Sequence, residues 1–437
     1  MKKQIGAGAL FVLAVTTATA AWADVLEPAQ PEAVGLSSER LTKISEVFQE
    51  HIDDGKLPGA VMMIARQGRL AYVDSLGYRD KGADAPMSDD AIFRIYSMTK
   101  PIVSVAAMML FEEGRLQLTD PVSKFLPAFK DMQVSVSGLN AFGKVTHKLV
   151  AAERQMTVQD LLRHTSGLAY GGITHNAQVL EAYQAAGVYG PDASGLGVYR
   201  DMTPEEQVEG LAKAPLVHHP GTVWEYSLAS DLLGRVVEAV AGERLADFLS
   251  RRLFEPLGIT DTAFWVPSEK LSRVAEPFPV DPATGNPNQL LDVTIVPAND
   301  SGGAGAVSTA SDYLRFVQML LEGGQLDGAR ILSRTTVALM TEDHLGASIE
   351  TTVPPGVALF GSPGYTFGLG FMVREASGPY TVPGSTGEYM WAGFAGTFFW
   401  IDPAEELVVV LMTQAPGPSR RYYRRLMKQL VYQAIID

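Results

Sequence analysis

Apolar side chains recur along this chain with two different periods, and the two are segregated. Near the start, Leu41, Ile44, Phe48 and Ile52 repeat at helical spacing behind Ser37 or Ser38 as N-cap, and Gly55 closes the run. Residues 61–66 and 70–76 are β-rich runs separated by Gln67-Gly68, which predicts a hairpin. The far end mirrors this. Strand-like runs at 367–374, 394–401 and 407–413 precede a last helix over 420–436, with Leu426, Leu430 and Ala434 facing inward. Both ends therefore predict one mostly antiparallel sheet covered by helices.

The middle has another rhythm. Residues 102–111, 158–163, 204–212, 229–241, 244–253 and 312–321 are helical in period, joined by Gly- and Pro-rich loops, and strand signals are scarce. The fold class expected is α+β: an antiparallel β-sheet flanked by helices, built from 24–96 and 297–437, with a large, mainly helical domain inserted over 97–296. Two such lobes leave a cleft, the usual place for a small-molecule site. Loops at 187–201 and 351–363 either cover that cleft or are ordinary surface loops. Arg420, Arg421, Arg424, Arg425 and Lys428 read as the solvated outer face of the docked last helix.

Composition narrows the function. Of 437 residues, 46% are hydrophobic and 19% charged, which excludes a disordered chain. Zero cysteine removes disulfides, thiolate metal sites and thiol nucleophiles. With 35 Lys+Arg against 49 Asp+Glu the formal charge is −14, so a nucleic acid would be repelled. At the N-terminus, Lys2 and Lys3, an apolar stretch over 5–19 and Ala21-Trp22-Ala23 form the pattern of a secretory leader, residues 1–23, cut before Asp24. That stretch is shorter than the roughly 20 residues a bilayer needs. The expectation is an exported protein, periplasmic or secreted, without a stable membrane anchor.

The catalytic motifs are mostly missing. No serine sits in Gly-x-Ser-x-Gly, the seven histidines include no His-x-x-x-His pair, and no phosphate-cradling Gly-rich loop is present. No metal or cofactor is called for. One serine differs: Ser97 is followed by Lys100 in the chain's single Ser-x-x-Lys, Ser97-Met98-Thr99-Lys100, and Pro101 comes next. Proline is tolerated only in a helix's first turn, so the helix over 102–111 must begin close to Ser97. The i, i+3 spacing then stacks the hydroxyl and the amine on one face. A lysine at the base of an apolar helix, at the positive end of its dipole, is biased toward the neutral form that accepts a serine proton. Spacing alone favours a plain N-cap serine beside an exposed lysine.

Other segments favour the first reading. Leu161-Leu162-Arg163-His164-Thr165-Ser166-Gly167-Leu168, Pro220-Gly221-Thr222-Val223-Trp224-Glu225-Tyr226-Ser227, Gly302-Gly303-Ala304-Gly305 and Trp391-Ala392-Gly393-Phe394 follow in order. Together with Ser97-Met98-Thr99-Lys100 they resemble the class C β-lactamase and penicillin-binding-protein-like serine hydrolase superfamily, and most closely the family VIII carboxylesterases. The resemblance implies Ser97 as nucleophile, Lys100 and Tyr226 sharing its proton, and an oxyanion hole from the backbone N–H groups of Ser97 and Phe394. It further implies a substrate wall of Trp391, Ala392, Gly393 and Tyr170, with the Ala392 methyl narrowing the pocket. His164 has no part in such a mechanism and reads as structural.

Two departures bear on substrate. Trp391-Ala392-Gly393 stands where penicillin-recognising enzymes carry Lys-Thr-Gly, and Leu228 stands where β-lactamases often have Asn. Without those groups a substrate carboxylate has no partner, so the resemblance favours a small-molecule ester, hydrolysed by a short-chain carboxylesterase. A β-lactamase, a D-Ala-D-Ala carboxypeptidase, an esterase with secondary β-lactam hydrolysis, acyl transfer to another alcohol, and a non-catalytic binding protein of this fold are the alternatives.

Overall fold

Eight strands from the two ends of the chain form a single antiparallel sheet in the computed structural model, which describes residues 26–188, 200–375 and 380–437. The expected leader with its Ala23-Asp24 junction and residues 189–199 of the 187–201 loop lie outside these residues. Across the sheet the order is Tyr365–Phe367, Met372–Arg374, Tyr389–Ala392, Phe398–Asp402, Leu407–Thr413, Gly59–Arg66, Arg69–Asp80 and Ala85–Pro86. The N-terminal hairpin thus completes a sheet begun by the C-terminal strands, with Met63 opposite Val410 at the seam.

Burial explains the sequence pattern. Gly59–Arg66 and Leu407–Thr413 bury every residue, which is why they read as continuous apolar runs rather than alternating ones. Helices Ser38–Asp53 and Arg420–Tyr432 cover one face, and Ala310–Leu321 covers the other. Ser37 supplies the first N-cap, its hydroxyl accepting from Arg40 N at 3.3 Å. In the helical part, Thr99–Glu112 packs against Ala229–Ala241 and buries every residue from Thr99 to Leu110.

Four expectations change. The run over 367–374 is two short strands, because Gly368 N donates to Phe371 O at 2.8 Å and closes a turn between them. The run over 394–401 starts late: Tyr389–Ala392 is the strand, 393–397 is a turn, and Phe398–Asp402 is the next strand. Gln133–Leu139 and Val145–Ala151 form a separate two-stranded hairpin inside the helical region. Finally, the last helix is solvated along only part of its basic stripe: Arg421 is exposed and Arg420 and Arg425 are half-buried, but Arg424 and Lys428 face inward with Tyr423, Met427, Leu430 and Val431, and Leu426 is only half-buried. They are accepted there because Lys428 Nζ meets Glu388 Oε2 at 2.6 Å and Arg424 Nη2 meets Gly393 O at 2.7 Å.

Candidate active site

Ser97 sits in a single 3-10 turn, Tyr96–Met98, that runs straight into helix Thr99–Glu112. The residue before it carries strain: Tyr96 has φ +44°, unusual for a bulky side chain. The surroundings hold it there. Thr99 Oγ1 donates to Tyr96 O at 2.6 Å and accepts from Ala306 N at 3.1 Å, while Tyr96 Oη accepts from Leu291 N at 2.9 Å. Burial pushes this phenol up to about 12, so it stays neutral. A strained, over-determined turn is what presents a half-exposed serine at a helix N-terminus.

Lys100, one turn on, is buried. Its Nζ lies 3.2 Å from Ser97 Oγ, 3.1 Å from Tyr170 Oη and 2.6 Å from Gly303 O. Ser-x-x-Lys is therefore a contact here. Tyr226 also stands at the lysine. Its ring lies under the lysine, Nζ being 4.7 Å from the centroid, and its hydroxyl is 3.4 Å from Trp391 Nε1. Tyr170, expected only as a wall, is the tyrosine whose hydroxyl contacts Lys100. The rings of Tyr170, Tyr226 and Trp391 form one row, with centroids 5.3 and 5.2 Å apart.

His164 is a support. Its ring packs 4.9 Å from that of Tyr226, and its Nδ1 accepts from Ser227 N at 3.3 Å. Burial, reinforced by the neighbouring Lys100, holds its pKa well below the ordinary value, so it is neutral.

The turn after Tyr389–Ala392 closes the site. A Cβ on Gly393 would fall 2.5 Å from Ile95 O and 2.1 Å from Thr397 Oγ1, so only glycine lets this turn approach the segment carrying Ser97. The Phe394 ring meets that of Tyr96 at 5.5 Å. The backbone of Phe394 is thereby placed beside the serine turn. Successive strand residues point to opposite faces. Trp391 faces Tyr226, so Ala392 points the other way, sharing with its cross-strand partner Phe398 the face on which Trp400 stacks with Tyr432. Its methyl does not narrow the pocket.

Three groups escaped sequence reasoning. Arg424 is buried and donates to Gly393 O; burial, with Arg420 and Arg421 alongside, pulls it down to about 9, still charged at neutral pH. Arg420 donates to Phe394 O at 3.1 Å and lies over the Phe394 ring at 4.8 Å. A cation thus stands beside the strand end after all, supplied by the last helix rather than by the strand. Asp231 is the third: Oδ1 accepts from Ser301 Oγ at 2.5 Å and Gly303 N at 3.2 Å, which fixes the carbonyl that Lys100 holds. Burial pushes its carboxyl above the usual range, against the pull of Lys100. A Cβ on Gly303 would fall 2.1 Å from Asp231 Oδ2. The basic stripe was visible in the sequence, but its inward turn was not.

A cavity of about 920 Å3 is lined among others by Arg200, Leu291, Asp292, Ile295, Phe394 and Arg420. Among the described residues no cluster of three or more His, Asp or Glu is arranged to hold a metal ion.

Comparison with known proteins agrees with this architecture. The family model described as Beta-lactamase matches residues 44–432. Protein Rv1367c of Mycobacterium tuberculosis is 35% identical over 370 residues, covering 84% of this chain and 88% of the relative. Esterase EstB of Burkholderia gladioli is 30% identical over 406 residues, covering 88% and 93%. Among solved structures, EstCE1, a hydrolase with promiscuous acyltransferase activity, superposes with a TM-score of 0.70 at 28% identity, covering 91% of this chain and 99% of its own. With a family match over most of its length and relatives at this identity, the chain belongs to the Beta-lactamase family of serine hydrolases.

Proposed function

We propose that this protein is an exported serine carboxylesterase that hydrolyses short-chain acyl esters through Ser97. The observation that carries the reading is the 3.2 Å approach of Lys100 Nζ to Ser97 Oγ at the mouth of a buried helix. Ser97 Oγ attacks the ester carbonyl and its proton passes to Lys100, with Tyr170, whose hydroxyl touches that lysine, and Tyr226, whose ring packs against it, to share it. Negative charge developing on the carbonyl oxygen is met by the N–H groups of Ser97 and Phe394. The proton then goes to the departing alcohol, which leaves an acyl-enzyme, and water activated by the same base releases the acid. Tyr170, Tyr226 and Trp391 give the reacting end an aromatic wall suited to an uncharged acyl group. Relatives named as an esterase and as a hydrolase with acyltransferase activity support the substrate class.

The test is hydrolysis of p-nitrophenyl butyrate. Ser97→Ala should lower kcat by at least about a thousandfold with unchanged circular dichroism, and retained activity overturns the assignment. Export predicts that protein recovered from the producing cell begins at Asp24.

A second reading has one specific observation behind it. Arg420, beside Phe394, supplies a cation that a substrate carboxylate needs, so a β-lactam or a D-Ala-D-Ala peptide meets a partner there. Turnover of a chromogenic cephalosporin with greater kcat/KM than the butyrate ester would reverse the order.

A further inference from the structure

Residues 133–151 form a ribbon that stands apart from the main sheet. Its base is fastened to the body. Ser135 N donates to Leu216 O and Leu216 N donates to Gln133 O, each at 2.8 Å, and Asn176 Nδ2 donates to Ser135 O at 3.0 Å. Beyond Ser135 the ribbon leaves the protein. Phe142 is 89% exposed, Leu139 73% and Val145 63%, with Val136 and Leu149 exposed as well. Isolated apolar residues on a surface need no explanation, but five on one short projection do.

Two features identify what this projection suits. The first is its shape. Leu139 pairs with Val145, and Leu149 lies on the same face; Val136 pairs with Lys148 on the opposite face, and Phe142 occupies the turn between the strands. That turn is ordered, since Asn140 Oδ1 accepts from Phe142 N at 2.9 Å and from Lys144 N at 3.0 Å. Apolar groups on both faces and at the tip do not match a flat partner surface, whereas a fluid interface closes around them from every side. The second feature is charge. Residues 133–151 contain Lys144 and Lys148 and no Asp or Glu, on a chain whose formal charge is −14. The free part of the ribbon, Val136 to Leu139, spans about 13 Å at ~3.3 Å per residue. That exceeds the Debye length of about 8 Å at physiological salt, so Lys144 at the tip acts largely outside the field of the acidic body, while Lys148, opposite Val136, sits nearer the base.

We propose that this hairpin docks the protein on an anionic lipid surface, with Phe142, Leu139 and Val145 entering the interface and Lys144 and Lys148 meeting headgroup phosphates. This rests on the ribbon alone and is independent of the chemistry assigned to Ser97. The geometry adds a consequence for access. Tyr170, in the site, and Asn176, which holds the ribbon, lie six residues apart on one connecting segment, so a docked protein carries its site close to the lipid.

The test uses the full chain with vesicles of phosphatidylcholine alone and of an equimolar phosphatidylcholine–phosphatidylglycerol mixture. In Phe142→Trp the emission reads the tip itself: it should shift to the blue with the anionic vesicles, after subtraction of the wild-type signal. Leu139→Ser/Phe142→Ser should lower partitioning onto those vesicles at least tenfold. Lys144→Glu/Lys148→Glu should abolish the preference for anionic over neutral vesicles. Both double variants should keep wild-type hydrolysis of a soluble ester, because none of these residues touches the site. An unshifted tip emission overturns the proposal. So does a wild-type dimer that Leu139→Ser/Phe142→Ser converts to monomer without any loss of lipid binding, since the ribbon's occupant is then a second copy.

Discussion

The last helix and the projecting hairpin break the same rule in opposite directions. Helix Arg420–Tyr432 turns Arg424 and Lys428 into the protein, whereas the hairpin turns Leu139, Phe142 and Val145 out of it. The buried cations are each matched by an acceptor: Lys428 meets Glu388, which also accepts from Tyr432 Oη at 2.9 Å and Arg374 Nη1 at 3.3 Å, and Arg424 meets the Gly393 carbonyl. The exposed apolar groups are matched by nothing among the described residues. A violation that the fold satisfies internally is a structural device, here one that holds the turn carrying Phe394. A violation left unsatisfied points outward to another surface.

The contrast can be broken most directly at Lys428. Lys428→Met leaves Glu388 buried with one cation fewer and should cost about 3–5 kcal/mol in urea unfolding. Lys428→Met/Glu388→Gln should recover part of that loss; a single variant as stable as wild type would mean that the buried charge is not internally satisfied.

A second buried charge sharpens the point through pH. Burial alone would raise the Asp160 carboxyl, but hydrogen bonds from Arg154, Thr157 N and Thr165 outweigh it and the pKa is lowered. The unfolded chain then binds the proton more tightly than the folded one. The stabilisation is fully present above the unfolded value near 3.8 and is lost as pH falls through the folded value. Asp160→Asn should therefore flatten the acid limb of a melting-temperature profile below about pH 4 and remove roughly 2–4 kcal/mol at neutral pH.

Arg424 acts on the site through Gly393, so its effect should appear mainly in kcat. Arg424→Lys, which keeps charge but loses the planar fork, should lower kcat about tenfold with KM little changed. An equal change in both would mean a general loosening of the sheet. The smallest effect belongs to the hairpin: Phe142→Ser should shift unfolding by no more than about 0.5 kcal/mol, because its side chain is almost wholly exposed.

Much of this was legible before any coordinates. The terminal sheet runs were readable because both faces of those strands are covered, so the apolar run is continuous. The Ser97–Lys100 contact was readable because i, i+3 spacing on a helix is local geometry, and Pro101 marked where that helix starts. The last helix was legible as a helix but not in its orientation. An arginine carries no sign of whether an acceptor waits for it, and those acceptors, Gly393 and Glu388, lie 31 and 40 positions away in sequence. Ala392 was misplaced for a related reason: strand alternation fixes which neighbours share a face, but only packing decides which face meets the site.

The sequence by itself thus determined what depends on near neighbours: the periods of helix and strand, a serine cap at position 37 or 38, a helix start close to Ser97, and the absence of thiol chemistry. The tertiary structure alone decided what depends on groups distant in the chain. It placed the Tyr170 hydroxyl on Lys100, anchored Gly303 through Asp231, pinned the Phe394 turn with Arg420 and Arg424, and left the tip of the hairpin uncovered. The physical reason is that hydrogen bonds and burial act over a few ångströms in space. Only the folded chain sets which residues come that close.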